Sequence, residues 1–316
     1  MIKNNTKNAP LVLLGTIFAV AALLRFYQLD RTLGGADENA MLLYFGYSPL
    51  KVITTSYWDA NNHIFHSILV RLMGTWFGEE NAIAIRFPTF LFGLGGLWLI
   101  YRIAQELFDS PLIARMSLLI AAVNPVHIHY SQTARGYSLI IFFSAAMILL
   151  SLKVLRSGIS VGRGILLAGC GFLSVYTIPT NIYFLFGLAV WIFGVLLLPD
   201  RQRKFSIDAA DRKRKLFFFL NVALAIAVFC WVAYAPLLGQ MIETMTQHQM
   251  MTVETQWNSV SVLIPGILEK VFPASLLLFL PFLAMAFVSG DAPDRSYRTL
   301  PLVIFFLPLA VTLITG

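Results

Sequence analysis

Long apolar stretches alternate with short polar segments along nearly the whole chain. A transmembrane helix needs about 20 predominantly apolar residues. The pattern therefore predicts an all-α membrane protein, a polytopic helical bundle of about nine transmembrane helices that forms a single integral-membrane domain over residues 1–316. The predicted spans are 10–29, 82–106, 111–130, 134–155, 164–178, 180–198, 216–239, 273–289 and 299–316.

The apolar region over 164–198 is too long to cross a bilayer once. As a single helix it would be about 50 Å long, whereas the hydrocarbon core is about 30 Å thick. Pro179 and Asn181 interrupt it, and Arg163 and Arg201 flank its ends. Basic flanks on the same side require an even number of crossings, so two short helices are predicted.

The first two predicted spans are separated by residues 30–81, which contain a shorter apolar run over 64–77. This run, IFHSILVRLMGTWF, carries His66 and Arg71. It is short for a span and typical of a helix that lies in the membrane interface. We therefore predict interfacial helices between the first two spans.

The basic residues orient the bundle. If 64–77 does not span and the N-terminus is inside, most of the 23 lysines and arginines lie on the inner side, including those of a basic loop at 199–215. If 64–77 crossed the membrane, that loop would face outward, against the positive-inside rule. We predict a cytoplasmic N-terminus, an extracytoplasmic 30–81 loop, and a second extracytoplasmic loop at 240–272.

Composition agrees with this class of protein. The chain is 58% hydrophobic and 12% charged, with a mean hydropathy of +0.75, whereas soluble domains carry about 25% charged residues. The net charge of +7 is interpreted as an orientation signal, with no nucleic-acid partner. Cys170 and Cys230 lie in apolar runs and are interpreted as small hydrophobes. The N-terminal apolar run continues to Tyr27, so we expect an uncleaved first span.

Ionisable residues are almost absent from the middle of the predicted spans. A proton- or ion-coupled transporter usually needs such groups near the midplane, so the pattern disfavours that class. The polar residues concentrate at the outer surface instead. That distribution suits an enzyme that acts there on a lipid-borne substrate.

The outer 30–81 loop carries the candidate acid and base groups. Asp37 and Glu38 are adjacent, and a carboxylate in a water-poor cleft has a raised pKa that suits a general base. A solvated acid or a helix cap would give the same dipeptide. Asp59, His63 and His66 would share one face of a helix and are candidate metal ligands, although a polar face of an interfacial helix is the simpler interpretation. No metal ligand is assigned, and a divalent cation is left open as a cofactor.

Two arginines at predicted outer helix ends are candidate phosphate ligands. The planar guanidinium groups of Arg86 and Arg135 could pair with phosphate oxygens at the level of a lipid headgroup. An arginine near a helix end can also simply reach toward water. Position alone does not decide between the two interpretations.

Four motifs in order resemble one enzyme family. They are ADE at 36–38, DANNHIF at 59–65 (similar to D-x-HPPL), AIRFP at 84–88 (similar to A-x-R-x-P), and YSQTARGYSL at 130–139 (similar to YSQxARxYSL). Together they resemble GT-C superfamily glycosyltransferases of the protein O-mannosyltransferase-like branch, which includes the lipid A aminoarabinose transferases. The resemblance covers residues 10–155, about half of the chain.

The resemblance implies a membrane glycosyltransferase at the bacterial inner (plasma) membrane. It would move a sugar from a polyprenyl-phosphate donor to a cell-envelope lipid, glycan or protein hydroxyl, by inverting single displacement at the extracytoplasmic face. It also implies roles for particular residues. They are catalysis by Asp37 and Glu38, donor-phosphate binding by Arg86 and Arg135, and substrate binding by Asp59, His63, Tyr130 and Gln132.

The sequence departs from the family pattern where Ile64 and Phe65 replace the two prolines after His63. The chain is also shorter than many relatives. Two other hypotheses therefore stay open. One is a transporter or flippase of a lipid-linked saccharide, and the other is a truncated, non-catalytic relative that acts as an assembly partner.

Overall fold

The computed structural model describes residues 9–59, 61–108, 110–197 and 208–244. All the regular secondary structure within these ranges is helical. The helices are α1 (Ala9–Phe26), α2 (Ala36–Met41), α3 (Leu50–Thr55), α4 (Ile64–Phe77), α5 (Ala82–Leu107), α6 (Pro111–Val123), α7 (Pro125–Ser131), α8 (Tyr137–Ser157), α9 (Val161–Thr177), α10 (Ile182–Leu197) and α11 (Ala209–Tyr234). A π-helical turn covers Leu42–Gly46, and 3-10 turns cover Pro179–Asn181 and Ala235–Leu237.

The fold is that of a multi-pass integral membrane protein. Four helical segments are long and apolar enough to cross a membrane, and the bent pair α6 and α7 raises this number to five. The four are Ala82–Leu107, Tyr137–Ser157, Pro179–Leu197 and Ala209–Thr244. Helices α1 and α9 are apolar but shorter. The spans expected at 273–289 and 299–316 lie outside the described residues, so the number nine stays a prediction.

The expected span over 111–130 is broken into two helices. Helices α6 and α7 meet at an angle of 62°. Pro125 has no N–H for the helical ladder, and the side chain of Asn124 accepts a hydrogen bond of 2.9 Å from the backbone N–H of His127. Asn124 therefore caps a new helix at the point where α6 stops.

Several helix ends meet at one end of the bundle. The side chain of Gln132, after α7, donates to the carbonyl of Leu24 at 3.0 Å and to that of Tyr27 at 2.7 Å, at the end of α1. The side chain of Gln240, beyond α11, accepts a hydrogen bond of 2.6 Å from the backbone N–H of Tyr57. Between these two contacts, His63 in the segment that joins α3 to α4 accepts a hydrogen bond of 2.9 Å from the backbone N–H of Gly136, after α7. The ends of α1, α7 and α11 therefore lie on the same side as that segment.

A separate set of helix ends meets at a second end of the bundle. Arg156 pairs with Glu106 at 3.5 Å, which joins the ends of α8 and α5. Lys215 donates to the carbonyl of Leu155 at 2.8 Å, and Arg163 donates to the carbonyl of Lys153 at 3.3 Å. The end of α8 therefore lies beside the first turns of α9 and α11.

The helix over 64–77 has the bounds expected from the sequence. Its last turn leaves Trp76 and Phe77 exposed, whereas Ile64 and Val70 are buried. It is not among the segments long enough to cross a membrane. One apolar face of α4 therefore packs on the bundle, and bulky aromatic side chains project from its end.

Candidate active site

The acidic motif lies at the start of α2. Gly35 precedes this helix with a φ of 95°, a backbone conformation that glycine adopts without steric cost. Asp37 and Glu38 follow in the first turn, where carboxylates interact favourably with the helix dipole. The two acids are adjacent in sequence but point into different surroundings.

Glu38 is buried and takes part in four hydrogen bonds. Its Oε1 accepts from Arg86 Nε at 3.0 Å and from the backbone N–H of Ala134 at 2.6 Å. Its Oε2 accepts from Arg86 Nη2 at 2.8 Å and from the backbone N–H of Gly34 at 3.2 Å. Burial raises the pKa of Glu38, but the hydrogen bonds from Arg86 and Ala134 and the charge of Arg86 outweigh it and hold the pKa below its usual value.

Arg86 is buried at the start of α5 and uses all its donors within the protein. Besides Glu38, its Nη1 donates to the carbonyls of Leu29 at 3.0 Å and Arg31 at 2.6 Å, and its Nη2 donates to that of Thr32 at 3.3 Å. A guanidinium has five N–H donors, so none is left over for a phosphate in this arrangement. Arg86 ties the segment after α1 to α2.

Asp37 forms an ion pair with Arg135. The distance from Arg135 Nη1 to Asp37 Oδ2 is 2.7 Å, and the side chain of Asp37 is 74% exposed, whereas that of Arg135 is 9% exposed. The water-poor cleft expected around Asp37 is therefore not formed by the described residues. Between the two acids, Asp37 is the one that a substrate can reach.

Tyr137 packs against Arg135, and Tyr130 packs against Tyr137. The guanidinium carbon of Arg135 lies 5.2 Å from the ring centre of Tyr137, and Arg135 Nη2 donates to the Tyr137 hydroxyl at 3.3 Å. The rings of Tyr137 and Tyr130 are 4.5 Å apart. Nε of Arg135 is buried and has no hydrogen-bond partner within the described ranges. Tyr137 thus holds Arg135 from one side, and the Nε–H group of Arg135 is left as an unused donor.

His63 lies beneath the turn that carries Arg135. Its Nδ1 accepts a hydrogen bond of 2.9 Å from the backbone N–H of Gly136, and its ring packs edge-on against that of Tyr137 at 5.5 Å. Burial lowers the pKa of His63 to about 4. The imidazole is therefore neutral near pH 7.

Asp59 and Gln132 lie in local structural contacts. Asp59 accepts a hydrogen bond of 2.7 Å from the backbone N–H of Asn61, which fixes a turn before α4. The side chain of Gln132 contacts the carbonyls that end α1 and thus holds α1 to the turn at 132–136. Gln132 therefore fixes the turn that precedes Arg135, and Asp59 fixes the turn that leads to His63.

The shared helical face expected for Asp59, His63 and His66 is wrong, because α4 begins only at Ile64. His66 is fully buried and neither of its ring nitrogens has a hydrogen-bond partner in the part of the chain described. No three His, Cys, Asp or Glu side chains in that part come together as a group that could hold a metal ion.

Sequence reasoning missed the role of Arg25. This side chain is fully buried and donates to the carbonyls of Ala122 at 2.9 Å and Ala121 at 3.3 Å, and it lies 3.0 Å from Nδ1 of His127. It thereby caps the end of α6 at the bend. The signal in the sequence was an arginine one turn inside the end of an apolar stretch.

Asn62 was missed as well. It is buried, and its side chain donates to the carbonyls of Ile53 at 3.0 Å and Ser56 at 2.9 Å and accepts from the Ser67 hydroxyl at 3.1 Å. It fastens α3 to α4. An asparagine beside His63 in a polar segment gave no sign of these partners.

The comparisons with known proteins agree with this architecture. A family model described as dolichyl-phosphate-mannose-protein mannosyltransferase matches residues 63–234, which is more than half of the chain. The matched region contains His63, Arg86 and Arg135, whereas Asp37 and Glu38 precede it. The searches of curated proteins and of solved structures gave no match. The chain therefore belongs to the PMT_2 family of dolichyl-phosphate-mannose-protein mannosyltransferases, membrane glycosyltransferases that use a polyprenyl-phosphate sugar as donor.

Proposed function

We propose that this glycosyltransferase moves a sugar to a hydroxyl group of a cell-envelope lipid, glycan or protein by a single displacement that inverts the anomeric carbon. The observation that carries the proposal is the ion pair between Asp37 and Arg135 at 2.7 Å. It sets an exposed carboxylate beside a cation. One group can take a proton from an acceptor while the other stabilises an anionic leaving group.

In this mechanism Asp37 is the general base. Its carboxylate takes the proton of the acceptor hydroxyl while the acceptor oxygen forms a bond to the anomeric carbon. The bond from that carbon to the phosphate oxygen breaks, and the electron pair leaves with the polyprenyl phosphate. Glu38 supports Asp37 from the next position, because its four hydrogen bonds fix the first turn of α2.

Arg135 receives the phosphate of the donor. Its guanidinium is nearly buried but reaches the exposed side chain of Asp37. A phosphate bound at this point replaces the carboxylate of Asp37 as the anionic partner of Arg135. Charge-assisted hydrogen bonds of this kind are strong where water is scarce. Arg86, whose donors are all used, supports the site through Glu38 and the segment at 29–32 rather than by touching the phosphate directly.

The remaining candidates assist at the rim. The paired rings of Tyr130 and Tyr137 offer an apolar surface against which a sugar ring can pack. Gln132 and Asp59 maintain the segments around that surface through their backbone contacts. No metal ligand is assigned among the described residues, and a divalent cation is left open as a cofactor.

In the proposed topology this site lies at the extracytoplasmic face of a bacterial plasma membrane. The contacts that join 57 to 240 and 132 to the end of α1 support one outer face, and the Arg156–Glu106 and Lys215–Leu155 contacts support an inner one. We retain nine spans in one domain, a cytoplasmic N-terminus, a catalytic loop at 30–81, a basic inner loop at 199–215 and a second outer loop at 240–272.

The test is a transfer assay with membranes that contain the full chain. A polyprenyl phosphate carrying a radiolabelled hexose or pentose is added, and label is followed into envelope lipid, glycan and protein, with mass spectrometry of the same fractions from a deletion strain. Appearance of label in one acceptor class supports the proposal. Movement of intact donor across vesicles without transfer would instead identify a flippase, and donor binding with neither result a non-catalytic partner.

A further inference from the structure

His63 has a structural position that explains a role other than direct substrate contact. Its backbone is fixed at the entry to α4, since its N–H donates to the carbonyl of Asn61 at 2.9 Å and its carbonyl accepts from the N–H of Ser67 at 2.8 Å. The side chain is 3% exposed. The imidazole is therefore held by a rigid element and directed away from solvent.

The imidazole meets the chain between Arg135 and Tyr137. Its Nδ1 accepts the backbone N–H of Gly136, a contact between residues 73 positions apart. Gly136 precedes the first residue of α8, and a buried N–H at such a position needs an acceptor. No other partner for this N–H is found within the described ranges. His63 therefore fixes the backbone of the turn that presents Arg135.

The same turn is confined on its other side by the end of α9. A Cβ added at Gly136 would lie 2.5 Å from Cγ2 of Thr177 and 3.1 Å from Nδ1 of His63. The backbone of Gly136 is thus fitted between two helices that come from distant parts of the chain. A shift of the imidazole would be transmitted to the turn because Thr177 closes the opposite side of Gly136.

The contact continues from the turn to the cation. The ring of His63 packs edge-on against Tyr137, whose hydroxyl and ring both contact Arg135. Two connections therefore run from one imidazole to one guanidinium, through the backbone of Gly136 and through the ring of Tyr137. Neither connection places His63 itself at the exposed carboxylate of Asp37.

We propose that His63 is a positioning residue for the donor phosphate. Its neutral imidazole accepts the N–H of Gly136 through Nδ1, and it sets the orientation in which Arg135 meets the phosphate. This inference rests on the proposed phosphate role of Arg135. It replaces the substrate contact expected for His63. Its main requirement is an acceptor atom at the place of Nδ1, because the ring of Tyr137 also packs against that of Tyr130.

The experiment separates the two ring nitrogens by substitution. An asparagine places its Oδ1 near the position of Nδ1, whereas a glutamine places its terminal atoms near that of Nε2. His63→Asn, His63→Gln and His63→Leu are prepared in the full chain in detergent. Binding of geranylgeranyl phosphate and of geranylgeraniol is measured by thermophoresis, so that the phosphate contribution is obtained as the ratio of the two dissociation constants.

We expect His63→Leu and His63→Gln to weaken binding of the phosphate about fivefold to tenfold, the range of one lost hydrogen bond. His63→Asn is expected to stay within about twofold of the native chain. Binding of the alcohol should change in none of them. If the leucine variant does not fold, the asparagine and glutamine pair still decides the question.

A double-variant comparison identifies the route. In an Arg135→Gln background, His63→Leu should cause no further loss of phosphate binding, because the residue through which it acts is gone. Full additivity of the two losses, equal losses for phosphate and alcohol, or an asparagine variant as weak as leucine would overturn the inference. Native binding by Arg135→Gln alone would instead contradict the proposed function.

Discussion

The carboxylate of Glu38 meets the guanidinium of Arg86 in a two-point contact, with Nε to Oε1 at 3.0 Å and Nη2 to Oε2 at 2.8 Å. Both side chains are buried, and 48 residues separate them in the chain. The pair joins α2 to α5 beneath the exposed Asp37. It therefore provides a fixed base on which the adjacent acid and the facing Arg135 are held.

Removal of the charge on Glu38 should destabilise the protein strongly. Glu38→Gln leaves a buried guanidinium without its counter-ion, which typically costs about 3–5 kcal/mol. We expect a large fall in the melting temperature of the purified chain. The matched control is Glu79→Gln, which removes an exposed pair with Arg71 at 2.5 Å and should cost less than about 1 kcal/mol. Equal, small effects of the two variants would refute the structural role of the buried pair.

The same carboxyl predicts an acid-labile fold. Because the pKa of Glu38 is lowered in the folded state, its contribution to stability is present above the unfolded pKa and is lost as pH falls through the folded value. We expect the melting temperature to decrease once the pH drops below about 4.5, near the ordinary pKa of a glutamate. The Glu38→Gln variant should show a shallower dependence over the same range. If the melting temperatures of the native chain and of Glu38→Gln changed with pH in parallel, Glu38 would not be the group responsible for the loss of stability in acid.

A methyl group at Gly136 should distort the turn that presents Arg135. The added Cβ would lie 2.5 Å from Cγ2 of Thr177, and overpacking of this kind costs about 1–3 kcal/mol. We expect Gly136→Ala to lower both the melting temperature and transfer activity. Adding Thr177→Ser removes Cγ2 and should restore part of each.

Gly162 supplies the control for that experiment, because a Cβ at this helical position meets nothing within 4 Å. Gly162→Ala should leave stability unchanged or raise it slightly, since alanine favours helix. Failure of Thr177→Ser to rescue Gly136→Ala would mean that the distortion has another cause.

The two ends of the bundle should lie on opposite sides of the membrane. Glu80 and Val161 are both exposed and belong to opposite predicted faces. In a chain without its two native cysteines, Glu80→Cys should react with a membrane-impermeant maleimide in intact cells. Val161→Cys should react only after permeabilisation. Labelling of both from outside would overturn the topology.

The sequence predicts the elements better than it predicts their contacts. The lengths of the apolar runs and the residues that interrupt or flank them were enough to predict the separate helix over 64–77 and the break near Pro179, because both depend on neighbouring residues. The bend between α6 and α7 was also encoded locally, by Asn124 and Pro125. It was missed because the apolar run continues across it.

The partners of the site residues depend on distant segments. Arg86 was expected at a phosphate, but its neighbours in space include the carbonyls of Leu29 and Arg31, more than 50 positions earlier. Likewise, nothing near His63 in sequence indicates that its acceptor nitrogen meets Gly136. The residue type and the predicted depth in the membrane indicated which charged side chains could reach a lipid phosphate. The hydrogen bonds that these side chains form depend instead on how distant helices pack.

The most direct test of the account is the rate of sugar transfer by Asp37→Asn under single-turnover conditions, with saturating polyprenyl-phosphate sugar. Asparagine preserves the shape of the side chain but cannot take a proton, and general-base catalysis contributes about 100-fold to 10,000-fold in rate. We predict a fall of at least about 100-fold, with Glu80→Gln, an exposed acid of the same loop, at the native rate. Unchanged turnover by Asp37→Asn would contradict the assignment of Asp37 as the base.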